Sequence, residues 1–199
     1  MVSYLFIKKR MILDIFKIPV YTVQLSLNNE ELIKFCYDTQ KNDTGRMVSN
    51  RGGYQSNNLM GLNIPIQPLL NEINTHSSLF AKSLMFKNTN IMCSSIWFNI
   101  NGHKDYNISH NHPHCLISGV YYAKSLNSCG LIEFNRNESS FEYDWHDSKM
   151  KDLNSYNCTS WRLPTTTNTL YLFPSWLKHG VLPNEHKNMD RISFAFNCN

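Results

Sequence analysis

The sequence predicts a mainly β fold of the α+β kind: a jelly roll with N-terminal helices packed on one of its sheets. Two helical stretches stand in the first half of the chain. After Met92 the pattern changes to short runs rich in Val, Ile, Phe and Tyr, separated by Gly, Pro and Asn turns. Helices followed by a run of strands place helices on one side of an antiparallel sheet rather than between parallel strands. No internal repeat and no linker divides the 199 residues. One domain over 1–199 is therefore expected, with helical and strand support over about residues 15–90 and the β core over about 91–199.

In order along the chain, Ile18 to Leu25 alternates as a first strand. Asn28-Asn29 can cap a helix beginning at Glu30-Glu31-Leu32-Ile33-Lys34-Phe35-Cys36. The polar stretch from Lys41 to Asn58, with Gly45, Gly52 and Gly53, is expected to be a long loop. A second helix is expected from about Pro68 to Phe86, where Leu69, Leu70, Ile73, Phe80 and Leu84 form an apolar face. Strands are expected at Cys93 to Ile100, Cys115 to Ala123, Gly130 to Asn135, Trp161 to Leu163, Asn168 to Phe173 and Arg191 to Asn197. Trp161 and Trp176 are expected to be packing residues. Tyr121 and Tyr122, on opposite faces of a strand, are half core and half cavity wall. The mixed-charge segment Asn137 to Asn157 is too long for a plain connection, so it is either a lid over the site or a surface insertion.

Composition excludes several classes. The net charge of +4 is small and partly due to Lys8-Lys9-Arg10, with no basic stripe or finger spacing, so no nucleic-acid partner is expected. The six cysteines lack Cys-x-x-Cys spacing and are expected to be free thiols in a reducing compartment. Val2 to Phe6 is too short for a secretory signal, and no stretch approaches a membrane span, so a cytoplasmic location follows, the host cytoplasm if the chain is viral. Edge strands in such folds allow a homodimer.

The chemistry concentrates in His110-Asn111-His112, His179 and Arg191-Ile192-Ser193. Imidazoles two residues apart on an extended strand point to one face, and His179, at a turn after a strand, can complete the set from the opposite side. Three protein ligands leave coordination positions open, as a catalytic metal requires. His114 could replace His110 in the pair, and Asp105 is held as a reserve ligand. His76, His103, His146 and His186 lie in polar stretches and are expected to be solvated. Arg191 comes twelve residues after His179, enough for a turn at Leu182-Pro183-Asn184-Glu185 and a return strand. On that strand Arg191, Ser193, Ala195 and Asn197 share one face, so the guanidinium can grip a carboxylate in the cavity with Ser193 beside it.

Ordered blocks of this chain resemble a known family. They are Ser49-Asn50-Arg51-Gly52-Gly53-Tyr54-Gln55-Ser56, Trp97-Phe98-Asn99, His110-Asn111-His112-Pro113, Ser118-Gly119-Val120-Tyr121-Tyr122, Phe173-Pro174-Ser175-Trp176-Leu177-Lys178-His179 and Arg191-Ile192-Ser193-Phe194. The family is that of the 2-oxoglutarate and Fe(II)-dependent oxygenases of marine bacteria and their phages, and the resemblance runs from about residue 15 to the end. It implies a cupin-like double-stranded β-helix, with Fe(II) held by His110, His112 and His179. It also implies the far carboxylate of 2-oxoglutarate on Arg191 and Ser193, with Asn99 lending a polar contact. The activity implied is that of a dioxygenase, with O2 as oxidant, coupling 2-oxoglutarate decarboxylation to C–H oxidation, most simply the hydroxylation of an unidentified substrate. His112 stands where the commoner facial triad has a carboxylate, so the iron keeps a higher net charge. The alternatives are a cupin-like protein that binds a metal or small acid without oxygen chemistry, and a cupin-type isomerase or dioxygenase that uses three His and no 2-oxoglutarate. Neither needs a carboxylate clamp at Arg191-Ile192-Ser193.

Overall fold

The computed structural model describes residues 12–136 and 144–199. Its elements are β1 (Tyr21–Gln24), α1 (Glu30–Asn42), β2 (Asn50–Arg51), β3 (Tyr54–Gln55), α2 (Gln67–Ser83), β4 (Cys93–Asn101), β5 (Tyr106–His110), β6 (Ile117–Lys124), β7 (Leu131–Asn135), β8 (Ser160–Pro164), β9 (Thr169–Pro174), β10 (Lys178–Val181) and β11 (Arg191–Cys198). The major sheet has the order β1-β9-β6-β11-β4-β3 and the minor sheet β2-β5-β10-β7-β8. From β4 onward the chain alternates between the sheets, with only the β7–β8 hairpin staying in one. That winding is a double-stranded β-helix.

Period-two alternation explains the layers. On β4 the residues Ile96, Phe98 and Ile100, and on β11 Ile192, Phe194 and Phe196, face the helices. There they meet Leu32 and Cys36 of α1 and Leu69, Ile73 and Phe80 of α2, spaced at helical intervals. The opposite faces of β6 and β9 present Val120, Tyr122, Tyr171 and Phe173 to Ile132, Phe134 and Leu177 of the minor-sheet side. The central strands are thus covered on both faces, which is why their apolar pattern runs almost without interruption. Gly119 is required where it stands: a Cβ there would lie 2.4 Å from the Phe196 ring and 2.5 Å from the Tyr171 carbonyl oxygen.

Several sequence expectations shift. The first strand is shorter than Ile18 to Leu25, and the second helix ends at Ser83, where Leu84 N–H turns back to the Phe80 carbonyl at 3.0 Å. Asn28 Oδ1 accepts the Glu30 N–H at 3.1 Å as expected of a cap, but the Asn29 amide instead reaches the Ala123 carbonyl and Asn168 Oδ1 across the fold. Lys41 to Asn58 is not simply a loop: it carries β2, paired with β5, and β3, paired with β4, so it stitches one end of the two sheets together. Gly52 makes that corner with φ of +83°. Two short strands, β5 and β10, lay partly or wholly outside the expected set. Trp161 and Trp176, expected as packing residues, are each about half exposed (48% and 54%). His76 is not solvated, since its Nδ1 lies 2.8 Å from Tyr21 Oη. Of the segment Asn137 to Asn157, residues 137–143 fall outside the described residues; the rest contains a short 3-10 turn at Asp147–Lys149. No described helix is long and apolar enough to cross a membrane.

Candidate active site

His179 on β10 pairs directly with His110 on β5, and on its other side with Phe134 of β7. His112 lies just beyond the end of β5 rather than on it, and the Ser175 carbonyl in the β9–β10 turn fixes it by accepting its N–H at 2.9 Å. The three imidazoles nevertheless converge, with ring centroids 4.6 to 5.1 Å apart. One ring nitrogen from each lies within 4.8 Å of the other two. The alternatives fall away on position. His114 is exposed, sits at φ of +66° and is outside the cluster. The Asp105 carboxylate accepts the Gly102 N–H at 2.8 Å beside the Gly52 corner, so it is not a reserve ligand.

Hydrogen bonds fix two of the tautomers. His110 Nδ1 lies 2.8 Å from the Ile108 carbonyl and His179 Nδ1 lies 2.8 Å from the Leu177 carbonyl, so each Nδ1 carries a proton and each Nε2 presents a lone pair. Burial pushes the ring of His179 down to about 3 and that of His112 to about 4, and depresses His110 as well. All three are neutral at pH 7, as metal ligands must be. His112 Nε2 and His179 Nε2 are 3.3 Å apart. Two nitrogens about 2.1 Å from one ion and at right angles would be about 3.0 Å apart, so a single cation fits the pair. The rings of Phe134 and Phe173 close the site behind His179, the latter with its centroid 4.4 Å away.

Deeper between the sheets the inner face of β11 lies along β4 and β6. Arg191 is opposite Asn101, and Ser193 is opposite Asn99 on one side and Tyr122 on the other. All five are buried. Arg191 Nη1 donates to the carbonyls of Cys129 and Leu182, while its Nε and Nη2 have no partner. The Tyr122 hydroxyl is likewise buried without a partner. Burial depresses the Arg191 guanidinium and pushes the Tyr122 phenol well up, so here a cation and a neutral donor sit in a buried enclosure. Asn99 shares that inner face, and its Oδ1 accepts from Asn50 Nδ2 at 3.3 Å. Sequence reasoning gave Tyr122 only as half of an aromatic pair. The signal that singles it out is register: Ser118, Val120 and Tyr122 point inward together, whereas Tyr121 faces the helices and donates to Asn29.

A model of the 2OG-Fe(II) oxygenase family matches residues 95–197, just over half of the chain. The chain belongs to this family. Its enzymes use Fe(II) and 2-oxoglutarate, and the match spans His110, His112, His179 and Arg191. Solved structures share the architecture at low identity. A Pseudomonas putida prolyl-4-hydroxylase superposes with a TM-score of 0.61 at 11% identity, covering 92% of each chain. HygX from Streptomyces hygroscopicus, with nickel and 2-oxoglutarate bound, gives 0.59 at 11%, covering 92% of this chain and 83% of its own. The viral collagen prolyl hydroxylase of Paramecium Bursaria Chlorella virus-1 gives 0.54 at 12%, covering 90% and 94%. These likenesses carry the fold. None of the curated proteins is a detectable relative by sequence.

Proposed function

We propose that this 2OG-Fe(II) oxygenase is a hydroxylase acting as a single domain, in which His110, His112 and His179 hold Fe(II). Arg191, Tyr122 and Ser193 receive the distal carboxylate of 2-oxoglutarate, and Asn99 lines the same face. The observation that carries the cosubstrate assignment is the pair of orphaned groups, Arg191 and Tyr122, buried side by side with unmet donors. A buried guanidinium with two of its three nitrogens unmet is disfavoured unless a ligand supplies the missing acceptors. The placement agrees: the Leu182 carbonyl that holds Arg191 directly follows β10, the strand that carries His179.

Fe(II) and 2-oxoglutarate, when bound, would supply the oxidising chemistry with O2 as the oxidant, one oxygen atom going to succinate as CO2 is released and the other to a substrate C–H bond. The chain's residues prepare the ground for it. The Ile108 and Leu177 carbonyls hold two imidazoles in the ligand tautomer. Phe134 and Phe173 keep water from the rear of the cluster. Three neutral ligands leave both charges of the ion uncompensated, which strengthens its hold on an acid. Six free thiols suit a reducing cytoplasm. The test is succinate formation from 2-oxoglutarate when Fe(II) and oxygen are supplied, with or without a second substrate. If wild-type protein neither binds 2-oxoglutarate nor forms succinate, the assignment is wrong.

A further inference from the structure

A cavity of about 380 Å³ opens on the His110 and His112 side of the cluster, walled by Trp97 and rimmed by Arg46. None of the residues of the Arg191 enclosure line it. Its size falls in the range of small-molecule sites. Three features of its wall point to one kind of ligand.

The first is charge. Arg46 is the one cation in the wall, and no carboxylate lines it; amides and hydroxyls do. Arg46 Nε donates to the Ser56 carbonyl at 3.0 Å, and its guanidinium carbon lies 5.6 Å from the centre of the Trp97 ring. Among the described residues nothing accepts from its two terminal nitrogens. The nearest carboxylate in sequence, Asp43, is already engaged by Tyr54 Oη, Asn57 Nδ2 and the Gly45 N–H. The second feature is an orphan. Gln55 is 2% exposed and lines the cavity, yet its Oε1 has no donor. The third is reach. The Trp97 ring that carries Arg46 is itself 5.8 Å from the His112 ring, so a group held by Arg46 is a few bonds from the His cluster.

Resting on the oxygenase reading above, we propose that this cavity is the subsite for the oxidised substrate. Its ligand is a small polar acid bearing both an anionic group, carboxylate or phosphate, for Arg46 and a hydroxyl or amine donor for Gln55 Oε1. Trp97 supplies the flat wall along which its carbon skeleton lies, presenting a C–H bond towards His110 and His112. Arg46 is a specificity-determining residue, standing outside both the His cluster and the Arg191 clamp.

Calorimetric titration tests this with four probes built on one six-carbon skeleton: gluconate, glucose 6-phosphate, glucose and glucosamine. The metal-free protein is used, first alone and then with 2-oxoglutarate saturating. At least one of the two anions is expected to bind about tenfold or more tighter than glucose and glucosamine. Which anion wins distinguishes a carboxylate from a phosphate source. Arg46→Gln is expected to remove that advantage while leaving glucose binding and substrate-free succinate formation unchanged, and Gln55→Leu to weaken all hydroxylated probes alike. The proposal is overturned if neither anion outbinds glucose, or if the advantage survives Arg46→Gln. Failure of the oxygenase reading shows itself differently, as absent 2-oxoglutarate binding and absent succinate in wild type.

Discussion

His110 and His179 occupy the same rung of the β5–β10 ladder, their ring centroids 4.6 Å apart. A single register therefore sets two of the three candidate ligands, and the third is tied to the next turn through the Ser175 carbonyl. Removing one ring should abolish binding without disturbing the ladder, whose hydrogen bonds are backbone. His179→Ala is expected to lose stoichiometric Fe(II) while staying folded. Metal analysis alongside circular dichroism checks it; one tightly bound iron in the variant would remove the ligand assignment.

His112 is held by its backbone at a position where a shorter side chain still faces the cluster. His112→Asp is expected to keep Fe(II) and part of the 2-oxoglutarate turnover, because a carboxylate oxygen is an acceptable iron ligand. His112→Leu is expected to lose both. Turnover in the Leu variant equal to wild type would contradict this.

Tyr122→Phe deletes one buried hydroxyl and nothing else. A hydrogen bond to a charged group contributes about 1.5–3 kcal/mol, so 2-oxoglutarate affinity is expected to fall roughly 10- to 150-fold. Tm should hold or rise, since the unliganded fold loses an unpartnered group. Arg191→Lys is expected to retain more affinity than Arg191→Leu, keeping charge without the fork. The Leu variant should also lose stability, because the Cys129 and Leu182 carbonyls lose their donor. Titration and thermal melts separate the two effects.

Stability of the metal-free protein should depend on pH in one direction. The His cluster is held neutral by burial, with His112 near 4 and His179 near 3 in the fold against 6.5 for a free imidazole. Below pH 6.5 the unfolded chain takes up protons that the fold refuses. The contribution is therefore complete above pH 6.5 and is lost progressively down to about pH 3. Denaturant melts from pH 7.5 to 5 should show the decline, and His179→Ala should flatten it.

Gly119→Ala places a methyl group against the Tyr171 carbonyl and the Phe196 ring. Overpacking of this kind costs about 1–3 kcal/mol, read as a lower Tm with the His110, His112 and His179 cluster otherwise intact.

Much of this was legible in the chain itself. The inward run on β11 that begins at Arg191 could be read from alternation, because strand period two leaves a trace in the residues; for the His cluster, spacing alone left His114 open beside His110, and His112 lies beyond the end of β5, where period two no longer applies. Tyr122 was less visible: a Tyr-Tyr pair does not say which ring faces the cavity until the register against Ser193 is known. β10 escaped notice because four residues with a central glycine carry no alternation. The β2–β3 corner was missed because its two-residue strands are defined by partners far along the chain. Asn29 looked like a cap from local sequence, yet tertiary partners at Ala123 and Asn168 outcompeted the helix end for its amide.

Arg191 does two jobs at once: its Nη1 ties the approach to β7 and the end of β10, while Nε and Nη2 wait unmet. An acid that fills the remaining positions tightens the same staple that holds two connections of the barrel. Occupancy and folding are then thermodynamically linked, and a ligand at a hundred times its Kd would add about 2.7 kcal/mol to the fold. The persistence of the protein in a cell, and not its turnover alone, would follow the supply of a central carbon metabolite.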